Sequence, residues 1–62
     1  MAITMKQARV GLDLSQEEMA KALEVSSWRY RKWEQNPETM PVSAAKKFCE
    51  IAGVHFDDII FA

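Results

Sequence analysis

The residues best suited to binding chemistry are crowded into residues 26–36 of the chain. Arg29, Arg31 and Lys32 are strong hydrogen-bond donors with positive charge, whereas Glu34 is the one acid in this segment. Such a segment can bind an anionic partner through its charges and its donors. Catalysis is not indicated, because the chain has a single histidine, a single cysteine and no glycine-rich phosphate loop.

Two short helices joined by a tight turn are predicted to position these side chains. Ser15 and Glu18 form the pattern of a capping box, so one helix is expected over 16–23. Ser26 can cap a second helix over 27–35, whose inward stripe is Tyr30 and Trp33. Its outward positions are Ser27, Trp28, Arg29, Arg31 and Lys32. Two crossed helices, the second displaying basic side chains and hydrogen-bonding groups, have the geometry that reads a DNA major groove.

Three further helices complete a predicted all-α fold, a compact bundle of about five short helices. The first covers 4–12, with Leu12 on its inward face. The fourth covers 42–52 and the last 56–61. Between the third and fourth helices the chain contains both of its prolines. Asn36 is predicted to end the third helix in a left-handed conformation.

Two non-glycine residues, Asp13 and Glu24, lie at predicted turns between helices. Asp13 follows the first helix, and aspartate tolerates a left-handed conformation better than most residues. Glu24 lies at the turn between the second and third helices. Either Glu24 adopts a positive φ at a cost of roughly 1 kcal/mol, or the turn is rearranged and the angle between the helices changes.

Length and composition favour a single small domain over 1–62. The chain carries 8 basic and 9 acidic residues, for a net charge of −1, whereas nucleic-acid-binding domains are usually basic overall. Salt screens charges beyond about 8–10 Å, so a basic face can still attract an anionic partner although the rest of the domain is acidic. The single cysteine excludes an intramolecular disulfide. No signal peptide or membrane-spanning segment is predicted, and no metal, cofactor or small-molecule ligand is expected.

An ordered set of residues along the chain resembles the Cro/lambda-repressor-type (XRE-like) helix-turn-helix domain. The set is Arg9, the segment 14–20, Leu23, Val25, Ser26, Trp33, Glu34, Asn36, Phe48 and the segments 52–54 and 56–60. The likeness covers about residues 4–60 and places the helix-turn-helix core at about 16–35. It implies a lambda-repressor-like fold that binds double-stranded DNA in the major groove through the helix over 27–35.

The resemblance also implies roles for individual residues. The implied DNA-binding set is Gln16, Ser26, Ser27, Trp28, Arg29, Arg31 and Lys32. Gln16 is expected to contact a phosphate and to brace the recognition helix, while Ser27, Trp28 and Lys32 match base-reading positions. Phosphate contacts are also open to Asn36, Lys46 and Lys47, although capping or simple solvent exposure explains these residues equally well. Arg9 and Glu34 match a structural salt bridge between the first and third helices.

These inferences predict a sequence-specific transcriptional regulator similar to small phage Cro-like repressors, in the cytoplasm of a bacterial or phage-infected cell. A homodimer would read a roughly palindromic site. Its surface is expected at Phe56, Ile60 and Phe61, because a short final helix cannot bury so many apolar side chains alone. The alternative is a protein-interaction module on the same fold, such as an antirepressor or a toxin-neutralising partner. The acidic balance and Trp28 favour that alternative, since an exposed tryptophan commonly anchors a protein interface.

Overall fold

Residues 3–60 are described by the computed structural model, with the side chain of Ile60 excepted. The elements are β1 (Ile3–Thr4), α1 (Met5–Val10), α2 (Gln16–Ala22), α3 (Ser27–Gln35), α4 (Val42–Ala52) and β2 (Ile59–Ile60). Short 3-10 turns cover Pro37–Thr39 and Phe56–Asp58. The helices and the packing of α2 against α3 confirm the predicted all-α helix-turn-helix fold.

Side-chain caps fix the points at which the first three helices begin. A capping box precedes α1, and Ser15 and Glu18 form a second one before α2. At the start of α3 the Ser26 hydroxyl accepts a hydrogen bond from the backbone N–H of Arg29, 3.1 Å away. Each cap satisfies backbone donors that a helix leaves unpaired at its first turn. The caps therefore set which residues of α2 and α3 face inward.

Left-handed residues follow α1, α2 and α4. They are Asp13 with φ 58°, Glu24 with φ 61° and Gly53 with φ 69°. Beside Glu24, the Val25 N–H donates to the Ala20 carbonyl at 3.0 Å, which is the hydrogen bond of a Schellman motif. Glu24 therefore takes the strained conformation, and the turn between α2 and α3 is not rearranged.

The core collects one face of every helix around Tyr30 and Phe48. Both side chains are fully buried, and their rings stack with centroids 6.4 Å apart. The other buried apolar residues are Met5, Ala8, Met19, Ala20, Leu23, Trp33, Met40, Ala45, Cys49 and Ile59. Arg9 is the one buried charged residue within the described part of the chain. The inner face of α3 thus lies in the centre of the domain.

The predicted final helix over 56–61 is wrong. Its first residues form a 3-10 turn, after which Ile59 and Ile60 pair in parallel with Ile3 and Thr4. Ile59 is buried in the core, and β-branched side chains suit a half-buried strand. The pairing also satisfies backbone groups at both ends of the described chain. Phe61 lies outside the described residues.

Two predictions about helix ends are also wrong. Helix α1 ends at Val10, and Leu12 is 38% exposed rather than buried. The reason is that the chain leaves the helix through a turn that ends at the left-handed Asp13. Asn36 has φ −134° and ψ 77° rather than a left-handed conformation. Pro37 follows it, and a proline ring favours extended conformations for the residue before it.

Candidate nucleic-acid interface

One side of α3 presents cationic and aromatic side chains to solvent, and we call it the outer face of α3. It comprises Ser27, Trp28, Arg29, Arg31 and Lys32. Trp28 is 64% exposed, and the three basic side chains are exposed with it. Ser27 is half-buried at the first position of the helix. The helix that Ser26 begins therefore displays all the basic residues of this segment at the surface.

Trp28 and Lys32 are paired one helical turn apart on this face. The Lys32 ammonium lies 5.5 Å from the centre of the Trp28 ring, which is a cation–π distance. Together with Arg31 and Gln35, these side chains line an open depression. At an exposed site such a contact contributes about 0.5–1 kcal/mol, so it restrains the two side chains without burying them. The surface offers an ammonium, a guanidinium and an aromatic ring side by side, which suits phosphate oxygens and base edges.

The inner face of α3 is held by a polar network centred on the Glu34 carboxylate. Its Oε2 accepts hydrogen bonds from Arg9 Nε at 2.6 Å and from the Tyr30 hydroxyl at 2.5 Å. Its Oε1 accepts from Gln16 Nε2 at 3.0 Å, and Arg9 Nη1 donates to the Leu14 carbonyl at 2.7 Å. The side chains of Arg9 and Glu34 are only 10% and 6% exposed. The network, named here the Glu34 network, therefore ties α1 and α2 to α3 inside the protein.

Burial and hydrogen bonding act in opposite directions on the Glu34 carboxyl. Burial raises its pKa, but the hydrogen bonds from Arg9, Tyr30 and Gln16 outweigh burial and hold the pKa below its ordinary value. The hydrogen bond to Glu34 raises the pKa of the Arg9 guanidinium. Burial, together with Glu34, raises the pKa of Tyr30. Near neutral pH, Tyr30 is consequently a neutral donor and Glu34 a charged acceptor.

Gln16 lies beside an open depression between α1, α2 and α3. The depression is lined by Lys6, Arg9, Ser15, Gln16, Glu34 and Gln35. Sequence reasoning missed Lys6, which is exposed. The available signal was its spacing of three residues from Arg9, because residues three apart share one side of a helix. Lys6 adds a cation to the surroundings of Gln16.

The predicted phosphate contacts beyond α3 lie at the surface in different surroundings. Asn36 is exposed at the end of α3, and Lys46 is exposed on α4. The Lys47 ammonium lies 3.8 Å from a carboxylate oxygen of Glu24, and both side chains remain largely exposed. Surface pairs of this kind contribute little to stability. Lys47 therefore has a nearby acid that competes with a phosphate for its charge.

Of the residues predicted for a dimer surface, only Phe56 has a described side chain, and it is 42% exposed. Ile60 contributes its backbone to β2, and Phe61 lies outside the described residues.

Cys49 is buried, and burial raises the pKa of its thiol. A buried thiol of this kind behaves as a small core residue rather than a nucleophile.

Among residues 3–60, no helix is both long enough and apolar enough to cross a membrane. The same residues contain no group of three or more histidine, cysteine, aspartate or glutamate side chains placed to hold a metal ion.

A family model described as helix-turn-helix matches residues 5–59. The match runs from the first residue of α1 to the first residue of β2 and so includes all four helices. It confirms the resemblance inferred from the sequence. The chain has no significant match among curated proteins or among solved structures.

Proposed function

Since the chain belongs to the Cro/C1-type helix-turn-helix family of DNA-binding, non-enzymatic domains, we propose that it is a sequence-specific repressor of transcription. It reads the major groove of double-stranded DNA with the outer face of α3, as small phage Cro-like proteins do. Repression then follows from occupying the site and excluding polymerase. This role places the protein inside a bacterial or phage-infected cell.

The observation that carries the proposal is the distribution of charge on α3. The helix has three exposed cations, whereas its one acid, Glu34, is turned inward and paired with Arg9. The outer face is therefore positive, although the chain as a whole has a net charge of −1. A firmly held helix with a positive, donor-rich surface can enter the major groove and meet both phosphates and base edges.

Base edges are contacted by Ser27, Trp28 and Lys32 in this proposal. Lysine donates to the guanine acceptors O6 and N7, and the apolar ring of Trp28 covers a thymine methyl group. One of the two arginines, Arg29 and Arg31, contacts a base edge, and the other contacts the phosphate backbone. Both are exposed on the same helix as Trp28, which supports these contacts.

Phosphates are held around this helix. Gln16 donates its amide to one phosphate, and Ser26 lies at the cap where the backbone enters α3. Asn36, Lys46 and Lys47 are exposed and extend the contact along the DNA backbone. Such contacts set the register of the protein on DNA and carry no sequence information of their own.

A homodimer extends the contact to two half-sites. Doubling the contacts supports a useful affinity for a domain whose net charge of −1 gives no long-range attraction to DNA. The two recognition helices then lie about 34 Å apart, one turn of DNA. We propose that the dimer surface includes Phe56, Ile60 and Phe61.

The test is a selection from random duplex DNA at low salt, with enriched sequences measured by fluorescence anisotropy at several salt concentrations. We expect a recurring palindrome whose affinity falls steeply with salt, through roughly 4–6 phosphate contacts per domain. Arg31→Ala is expected to weaken binding and, where it contacts phosphate, to lower the salt slope by about one. The matched control is Lys21→Ala, an exposed lysine outside the proposed set, and it should change neither quantity. No enrichment by the folded protein would contradict the proposal.

The second candidate function is a protein-interaction module, and the exposure of Trp28 favours it. Large exposed aromatic side chains are frequent anchors of protein interfaces. A partner bound through Trp28 would be lost with Trp28→Ala, would tolerate Arg31→Ala and would depend only weakly on salt. Val42→Ala is the control for exposed apolar surface, since Val42 is also exposed. Loss of binding from Trp28→Ala alone would favour this second function over groove reading.

A further inference from the structure

We propose that Tyr30 is a positioning residue for the phosphate contact of Gln16, acting through the Glu34 carboxylate. This inference rests on the proposed function, because it assigns Gln16 a phosphate of bound DNA. Tyr30 itself is fully buried and touches no DNA. Its hydroxyl and the Gln16 amide are hydrogen-bonded to the same carboxylate, one on each oxygen.

The two carboxylate oxygens of Glu34 accept hydrogen bonds from different sets of donors. Oε2 receives the two shortest bonds, from Arg9 Nε at 2.6 Å and from the Tyr30 hydroxyl at 2.5 Å. Oε1 receives Gln16 Nε2 at 3.0 Å and a longer contact of 3.5 Å from Arg9. With Oε2 occupied by two donors, the carboxylate is fixed in rotation and Oε1 is turned toward Gln16.

The position of Tyr30 makes it a rigid donor. Its ring is fully buried and stacks on Phe48 at 6.4 Å, so the hydroxyl has little freedom to follow a rotating carboxylate. Arg9 has a long, flexible side chain and also bonds the Leu14 carbonyl. Tyr30 is therefore the group that holds Glu34 Oε2 most directly from within α3.

This fixed carboxylate decides which end of the Gln16 amide is presented. An ionised carboxylate only accepts hydrogen bonds, so Gln16 must direct its NH₂ group toward Glu34. One N–H is used by Glu34, and the second remains for a phosphate oxygen at the open depression beside Lys6. A freely rotating amide would present its carbonyl oxygen part of the time, and a carbonyl oxygen cannot bind a phosphate.

The experiment is a double-mutant cycle on DNA affinity with Tyr30→Phe and Gln16→Ala. We expect Tyr30→Phe alone to weaken binding to the selected operator by about threefold to tenfold, which lies within the net contribution of one typical hydrogen bond. In the Gln16→Ala background, Tyr30→Phe should have almost no further effect, because the residue it positions is gone. Ile59→Val, a small core change outside the Glu34 network, is the control and should leave affinity unchanged.

The salt dependence distinguishes loss of the Gln16 contact from loss of a contact between a basic side chain and a phosphate. Gln16 is uncharged, so losing its contact releases no additional counterion, and Tyr30→Phe should lower affinity with an unchanged salt slope. Equal effects of Tyr30→Phe with and without Gln16 would overturn the positioning role while leaving the proposed function intact. A wild-type protein without salt-dependent DNA binding would instead overturn the proposed function.

A measurement on the wild-type protein tests the proposal even where a variant folds poorly. Side-chain amide relaxation by NMR should show an ordered Gln16 NH₂ group and a mobile one at Gln35, an exposed glutamine of α3. A Gln16 amide as mobile as that of Gln35 would overturn the proposal. In folded Tyr30→Phe, the order of the Gln16 amide should decrease while that of Gln35 stays the same.

Discussion

The two tryptophans of α3 show how differently one helix treats the same side chain. Trp28 is 64% exposed and is contacted by Lys32, whereas Trp33 is 7% exposed and packs in the core. Five residues on a helix correspond to about 140° of rotation, so the rings point to different sides. The inner face of α3 therefore holds the fold, and the outer face is available for a partner. Each face should therefore respond to mutation in its own way.

The largest break in the inner face is expected from Glu34→Ala. The change removes the acceptor of the Glu34 network and leaves Arg9 buried without a counter-charge. We expect the free energy of unfolding to fall by about 3–5 kcal/mol, which is a large share of the stability of a small domain. Urea unfolding followed by circular dichroism measures the loss. The matched control Glu38→Ala removes an exposed acid and should change stability by no more than about 0.5 kcal/mol. Similar losses from both variants would show that the Glu34 network does not stabilise the fold more than an exposed acid does.

Acid should weaken the same network without removing a side chain. The pKa of Glu34 is lower in the folded protein than its ordinary value of 4.5, so protons bind preferentially to the unfolded chain. The stability that Glu34 contributes is complete above the ordinary pKa and is lost as pH falls through the lower folded value. Hydrogen bonds from Ser15 lower the pKa of Glu18, which acts in the same direction. Stability should therefore decrease with acid below about pH 5.

The pH dependence is assigned to Glu34 by substitution. Glu34→Gln removes the titrating group, so the slope of unfolding free energy against pH below 4.5 should become smaller. The slope that remains is expected to come partly from Glu18. Urea unfolding at a series of pH values measures both variants and the wild type. An unchanged slope in Glu34→Gln would show that the folded protein does not hold this carboxyl below its ordinary pKa.

A smaller effect is expected at the turn that orients α3. Glu24 and Gly53 have similar positive φ values of 61° and 69°, but only glycine adopts them without strain. We expect Glu24→Gly to raise the free energy of unfolding by about 1 kcal/mol. Gly53→Ala should lower it by a similar amount, because an added Cβ there meets no atom within 4 Å and backbone strain is the cost. Thermal unfolding should give opposite signs, and equal signs would refute this account.

Sequence patterns predicted the fold where local chemistry decides conformation. The caps at Ser15 and Ser26 identified the starts of α2 and α3, and the spacing of Tyr30 and Trp33 identified the inner face of α3. The outer face followed from the same periodicity. Which of its residues contact DNA stays a prediction, since contacts with a partner are not encoded in helical spacing.

The features that sequence reasoning missed depend on contacts between distant residues. Ile59 pairs with Ile3 across almost the whole chain, which is why a run of apolar residues became a strand rather than a helix. Gln16 reaches Glu34 across 18 positions, and the Tyr30 hydroxyl joins them only once the helices are packed. A tyrosine at an inward helical position indicates burial, but the partner of its hydroxyl is a property of the tertiary structure.

The smallest effect on stability is expected from Trp28→Ala, the exposed one of the two tryptophans on α3. Trp28→Ala removes an exposed ring and its cation–π contact with Lys32, so the free energy of unfolding should fall by about 0.5–1 kcal/mol, whereas Trp33→Ala should cost about 3–5 kcal/mol. Urea unfolding of both variants makes the test, with residue type and helix held constant. If Trp28→Ala were as costly as Trp33→Ala, the Trp28 ring would belong to the core. Substitutions on the outer face of α3 would then carry a folding cost, and that face could not vary independently of the fold.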